Sequence, residues 1–365
     1  MNTIGERLKA TVFGESHGEM IGIVIDGLPS GITLDKNLIN QRLQERRPKP
    51  GLGTTRVEPD EYAILSGYYN EKTTGAPLFI SVKNLDVNSS DYERLQNTPR
   101  PSHADYPAFL KYSGNNDPRG GGVFSGRLTV VLVILGAICE QLLKKANISI
   151  FSHLLSIKNI KDTSLDQLSV NDEFMKTAEF GRFPVINKDI ESKLAVLIEN
   201  AKKSNDSLGG VIESTVIGLP VGVGEPLFGS IESRLSQLLF AVPGIKGVEF
   251  GSGFKLAEMT GSEANDPYRY ENGRIVTKSN HNGGVLGGMS TGMPVILRVA
   301  VKPTPSIGVT QQTVNLKTGK NTTIEIGGRH DPAIVLRAVP IVNAVLAYGV
   351  LDLLFQYHEK DWLTP

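Results

Sequence analysis

Val130-Val-Leu-Val-Ile-Leu-Gly-Ala-Ile-Cys139 decides how the rest of the chain is read. It is the longest apolar stretch in the sequence and about half the roughly 20 residues that a bilayer span requires. The run therefore marks a helix buried in a protein core, within a longer segment from Ser125 to Lys145. Around it, apolar spacing near 3.6 residues predicts helices over Leu34 to Arg47, Asp189 to Lys203, Ser230 to Val242 and Ile334 to Tyr357. Pro48 stops the first, and Pro340 should kink or interrupt the last. Strands are expected at Gly22–Asp26, Tyr62–Ser66, Leu78–Val82, Gly210–Ile217, Pro294–Val301 and Thr322–Ile326. The strand–helix rhythm is too irregular for a doubly wound parallel sheet and indicates mixed layers with antiparallel sheets.

The chain has 365 residues, with 38 Lys+Arg against 38 Asp+Glu. A size prior of about 150 residues per domain would give two domains. No linker or low-complexity tract divides the chain, however. A zero net charge lacks the footprint of a nucleic-acid binder, so any anion must be held by a local basic cluster. Cys139 is the only cysteine, which excludes an intrachain disulfide and a cysteine-based zinc site and fits a reducing cytosol. The charged start Met-Asn-Thr-Ile-Gly-Glu-Arg has no apolar signal core. A cytoplasmic protein is expected, with no membrane partner and no bound metal.

The 39 glycines cluster at 14–31, 114–126, 244–253 and 283–292. Gly14-Glu-Ser-His-Gly18 matches the serine-hydrolase elbow in letters only. That elbow needs a following helix, whereas Gly22-Ile-Val-Ile-Asp26 reads as a strand. A turn joining two strands, with Ser16 and His17 at its tip, fits better. Arg46 and Arg47 end a helix before a Pro/Gly-rich loop, as a solvated terminus or an anion clamp. Arg100-Pro-Ser-His-Ala-Asp-Tyr106 combines a proton donor, His103, with a clamp, Arg100. Arg119-Gly-Gly-Gly122 leads through Ser125 and Arg127 into the buried helix, a natural anion site. The four glycines within Gly283–Gly288 would suit close approach to a flat ring system, and Lys302 with the Thr/Ser hydroxyls after it would suit a phosphate tail. Asp331 in Gly328-Arg-His-Asp-Pro332 reads first as a helix N-cap, although a cap can also be a positioned base.

In this order, Thr11–Gly18, Arg100–Tyr106, Gly120–Arg127, Gly283–Gly288, Lys302-Pro-Thr-Pro-Ser-Ile307 and Gly328–Pro332 closely resemble the chorismate synthase family. The resemblance runs from residue 11 to about 340. It implies an α+β fold, a β-α-β sandwich with a helical layer between two antiparallel sheets, formed by residues 1–365 as one domain in a homotetramer. The implied reaction is the anti-1,4 elimination of phosphate from 5-enolpyruvylshikimate 3-phosphate to give chorismate, in the shikimate pathway of aromatic amino acid biosynthesis. It requires reduced FMN without net redox change.

Carried over residue by residue, the resemblance assigns Arg46, Arg47, Arg100, Arg127 and Arg329 to the substrate phosphate and carboxylates. His17, beside Ser16, would protonate the departing phosphate. His103 would stabilise the anionic reduced flavin, and Asp331 would, with the flavin, help remove the proton. Ser125 would bond the flavin or relay protons. The flavin positions are Val123, Phe124, Ser125, Pro243, Gly244, Gly287, Lys302, Pro303, Thr304, Pro305, Ser306 and Arg329. Val123-Phe124 stands where many members have Arg-Ser, Gly126 replaces Ala and Ser102 replaces Gly. Members differ in whether they reduce FMN with NADPH themselves or depend on a separate flavin reductase. The short loops favour the second, with NADPH an indirect reductant.

Overall fold

The computed structural model of the protein describes residues 2–54, 59–85, 97–165, 170, 182–327 and 331–357. Two five-stranded sheets lie on either side of a helical layer. The first contains β1 (Thr3–Ile4), β2 (Lys9–Gly14), β3 (Met20–Asp26), β4 (Tyr62–Ser66) and β5 (Leu78–Lys83), in the order β1-β2-β3-β5-β4. Every neighbouring pair is antiparallel. Its register pairs Ile21 with Val82, Ile23 with Ile80 and Ile25 with Leu78, and all six are fully buried. This alternation by two turns one apolar face toward the helices.

The second sheet contains β6 (Ser149–Ile157), β7 (Ile160–Lys161), β8 (Gly210–Ile217), β9 (Ile245–Phe250) and β10 (Val295–Val301), in the order β9-β10-β8-β6-β7. It too is antiparallel throughout. Ile212, Leu297 and Val299 belong to the hydrophobic core. The residues between them form a buried ionic chain. His153 lies between Asp162 and Glu213 at 3.1 Å each, and Glu213 pairs with Arg298 at 2.9 Å. The sequence reading missed β6 because both of its faces are covered, and its polar residues sit inside this chain rather than in solvent.

The longer helices among the described residues are α1 (Lys36–Arg46), α2 (Asp105–Lys111), α3 (Thr129–Lys145), α4 (Glu191–Lys203), α5 (Ile231–Phe240) and α6 (Val335–Tyr357). Asp35 caps α1 and Ser230 caps α5 by accepting backbone N–H bonds, placing both starts one or two residues inside the expected ranges. The apolar run forms α3, which packs on β3 and β5 and against α6; α6 in turn covers β6 and β8. A Cβ on Gly136 would come within 2.2 Å of the Ala344 Cβ, so glycine in mid-helix allows α3 and α6 to touch. Of the two outcomes expected at Pro340, interruption does not occur: α6 continues through it. Its packing between helices and sheet outweighs the lost backbone bond. Two helical stretches, Gly126–Lys145 and Val335–Tyr357, are long and apolar enough to cross a bilayer, but 78% and 94% of an apolar 18-residue window in each lies buried inside the protein.

Candidate active site

Ser16 and His17 occupy the turn between β2 and β3, so the hydrolase geometry of strand, turn and helix is absent here. Both side chains are buried. The turn is held by the Ser16 N–H donating to Gly122 O at 3.2 Å and by Asn84 Nδ2 donating to Glu15 O and Gly18 O. Gly120, Gly121 and Gly122 all have positive φ (59°, 89° and 51°). A Cβ on Gly120 would lie 2.0 Å from His17 Nδ1, and one on Gly121 would lie 3.3 Å from His103 Nε2. Left-handed backbone without side chains thus lets one turn pass between two imidazoles that are 86 positions apart in the sequence. Asp117, bound to Arg119 at 2.8 Å, is held below the usual carboxylate range, chiefly by Arg119 and in part by His17.

His103 is oriented from behind. Its Nδ1 lies 2.6 Å from Asp105 Oδ1, and Arg100 grips the same carboxylate from Nε at 2.7 Å and from its second nitrogen at 2.8 Å. Burial pushes the Asp105 carboxyl up, but the hydrogen bonds from Arg100 and His103 outweigh it and hold the group well below its ordinary range. Nδ1 donates to Asp105, which leaves Nε2 on the Gly121 side. Arg100 also donates to Ser306 Oγ at 3.3 Å, so its guanidinium serves this cluster. It does not line the arginine cleft beside it.

That cleft is bounded by Arg46, Arg47, Asp60, Ser125, Arg127, Pro243 and Arg337, among others. Arg46 donates to Thr129 Oγ1 at 3.1 Å and to Gly126 O at 3.2 Å, and Arg127 donates to Asn84 Oδ1 at 3.1 Å. Both arginines pair with the buried Asp60. Arg47 donates to Pro59 O, while its buried Nε has no hydrogen-bond partner among the described residues. Ser125 Oγ accepts from the Arg127 N–H, capping the short turn that carries Arg127.

Asp331 lies in a neighbouring recess that shares Arg47 and Arg337 with the cleft. It accepts the Ala333 N–H at 3.2 Å, as a cap does, and pairs with Arg337 at 3.5 Å. Burial raises its carboxyl above the ordinary value, with Arg337 opposing. Lys302 Nζ donates to Ser102 O at 2.6 Å, which ties the Lys302–Ser306 segment to the His103 loop. The Lys302 N–H donates to Gly244 O, and the buried Thr304 Oγ1 has no partner among the described residues. Val123 and Phe124 are exposed beside Ser125. Arg329 lies outside the described residues.

The structure corrects the reading of the glycines at 283–288. Cβ atoms on Gly283, Gly284 and Gly288 would strike backbone at 2.3, 2.5 and 2.6 Å, so packing within the protein explains three of the four. Only Gly287 has room, and it sits in the Val285–Leu286/Met289–Ser290 hairpin, outside the residues lining the cleft.

Asp60 and Arg337 were missed. Pro59-Asp60-Glu61 reads as an ordinary turn and offers no signal. Arg337 did offer one, as a lone cation in the otherwise apolar start of α6. Pro303 and Pro305 flank Thr304 without polar side chains of their own.

The family profile described as chorismate synthase matches residues 8–355. Chorismate synthase of Pyrococcus abyssi is 45% identical over 353 residues, 96% of this chain and 97% of the relative. That of Korarchaeum cryptofilum is 45% identical, covering 95% and 96%, and that of Methanococcus aeolicus is 45% identical, covering 98% of each. A crystal structure of chorismate synthase superimposes with a TM-score of 0.76 at 26% identity, covering 98% of this chain and 94% of that one. A helical layer between two antiparallel sheets, two imidazoles meeting across a glycine turn and near full-length identity of this order agree: the chain belongs to the chorismate synthase family, an enzyme family of carbon–oxygen lyases.

Proposed function

We propose that this enzyme converts 5-enolpyruvylshikimate 3-phosphate to chorismate, expelling phosphate by anti-1,4 elimination with reduced FMN present. The observation that carries this reading is the Gly120–Gly122 turn, which sets His17 and His103 on its flanks and runs through Ser125 into the arginine cleft. The substrate carries one phosphate and two carboxylates, and planar guanidinium forks match those groups better than ammonium does.

The residues present fit a flavin. Thr304 Oγ1 is buried without a partner among the described residues, in a segment beginning at Lys302, which suits a phosphate tail. Val123 and Phe124 offer apolar surface, and Ser125, Pro243 and Gly244 stand nearby on the cleft side. When bound, FMN supplies the electron chemistry that the elimination needs. The protein does the rest. His17 donates a proton to the departing phosphate. His103, its Nδ1–H committed to Asp105, keeps Nε2 free of that carboxylate, and a proton held on Nε2 would favour negative charge on a flavin bound beside it. Arg46, Arg47, Arg127 and Arg337 bind and orient the substrate, and Arg329 joins them by resemblance. Arg100 orients His103 through Asp105. Asp331 accepts the proton lost from the ring, helped by burial that raises its carboxyl above the ordinary value and makes it a stronger base.

We further read the chain as one domain, supported by its contiguous core. We read the assembly as a homotetramer, supported by an apolar groove among Val221, Tyr268, Tyr270, Ile275, Leu286 and Met289, the kind of surface that subunits cover. It acts in the cytoplasm with FMN reduced by a separate reductase. Anaerobic incubation with reduced FMN and the enolpyruvyl substrate tests the function. Chorismate and phosphate should appear in equal amounts with the flavin still reduced at the end. Phosphate without chorismate, or one flavin oxidised per turnover, would refute it.

A further inference from the structure

Asp60 is the one carboxylate among the described residues lining the arginine cleft. It stands just before β4 with a left-handed backbone, φ +52°, and only 3% of it is exposed. Its two oxygens are divided. Oδ2 accepts from Arg46 at 3.3 Å, and Oδ1 accepts from Arg127. The two arginines also donate to neutral groups: Arg46 to Thr129 Oγ1, Gly126 O and Arg127 O, and Arg127 to Asn84 Oδ1 and the Lys83 carbonyl. Two buried guanidiniums this close repel, and neither set of neutral anchors removes that repulsion. A carboxylate bridging both does, and it also fixes the angle between the two forks.

The geometry points to Asp60 as a positioning residue, which holds Arg46 and Arg127 in one rigid pair of forks for an anionic group of the substrate. Asp60 itself touches no reacting atom. This rests on the reading of the cleft as the substrate-anion site. The opposite role would be a competing internal anion, and it makes the opposite prediction: removing the charge would strengthen anion binding.

Asp60→Asn keeps the size and one acceptor while removing the charge. We expect kcat/KM to fall at least about ten-fold, and Asp60→Glu to recover part of the loss because it restores the bridge. In an Arg127→Gln background, the same Asp60→Asn change should alter kcat/KM less than about two-fold, since with one guanidinium gone there is no pair of forks left to hold together. A purely structural aspartate would instead give losses that multiply. Unchanged or tighter substrate use in Asp60→Asn, or a further ten-fold loss in the double variant, overturns the proposal. Should Asp60→Asn alone unfold, comparing the double variant with Arg127→Gln still decides it by the same criterion. If the wild-type enzyme makes no chorismate, the functional reading has failed. Calorimetric titration of inorganic phosphate into the same variants then reads the cleft directly, and tighter binding by Asp60→Asn counts against the bridge.

Discussion

Replacing Gly120 with alanine should displace the imidazole proposed to protonate the departing phosphate while deleting no functional side chain. The added Cβ would sit 2.0 Å from His17 Nδ1, 2.1 Å from Cε1 and 2.8 Å from Ser16 Oγ. Ordinary contact begins at 3.4 Å, so ring or turn must yield by about 1.4 Å. A misplacement of about 1 Å at a reacting group costs on the order of 10²-fold. Losing a general acid outright costs about 10²–10⁴-fold. Gly120→Ala should therefore lower turnover about 10²- to 10³-fold. Backbone strain is a separate matter, about 1–2 kcal/mol for a left-handed alanine. Gly121→Ala controls for it: φ is +89°, but the nearest atoms, on His103, lie 3.3 Å away and need give only tenths of an ångström. That variant should lose similar stability yet keep turnover within about ten-fold. Anaerobic phosphate release and thermal melts measure both effects. Equal rate losses in the two variants, or near-wild-type turnover in Gly120→Ala, would refute the placement of His17 beneath this turn.

His17→Ala and His103→Ala should each slow turnover about 10²–10⁴-fold with little change in melting temperature, and a near-normal rate would remove that residue from the mechanism. Asp331→Asn keeps the acceptor for the Ala333 N–H but abolishes the base, so turnover should fall while the fold survives; destabilisation alone would leave Asp331 as only a cap. Gly136→Ala should destabilise the protein despite alanine's better helix propensity, and Ala344→Gly should restore part of the loss in thermal melts. The buried ionic chain predicts a stability optimum in mildly acidic solution. Burial lowers the His153 pKa, but its hydrogen bonds to Asp162 and Glu213 outweigh that and raise it, so its contribution is full below about pH 6.5 and lost as pH rises through the raised value. For Asp162 and Glu213, burial pushes up but their partners pull below the ordinary range, so their contribution is full above about pH 4 and lost on acidification. Melts of His153→Gln against pH should lack the decline on the alkaline side.

The helical layer was legible because its chemistry is local. An unbroken apolar run has nowhere to go but the interior, and β3, β5 and β8 alternate or run apolar between turn residues. Strand β6 was illegible because its buried His153 finds partners 9 and 60 positions away, in Asp162 and Glu213, which no local pattern reveals. The same holds within the site. His17 and Asp331 stand out as titratable side chains beside glycines, and His103 as one set between Arg100 and Asp105. Asp60 looks like any turn aspartate until folding brings it between Arg46 and Arg127. The glycines at 283–288 misled for a related reason: close approach was the right inference, but the approaching groups are backbone atoms of this chain.

The most direct test of the account is the position of the substrate in a crystal of the enzyme with 5-enolpyruvylshikimate 3-phosphate and oxidised FMN. The account predicts phosphate oxygens within hydrogen-bond reach of His17, carboxylates on the forks of the arginine cleft, and His103 Nε2 facing the flavin ring. A phosphate bound away from His17, with the flavin on the far side of the Gly120–Gly122 turn from both imidazoles, would contradict it.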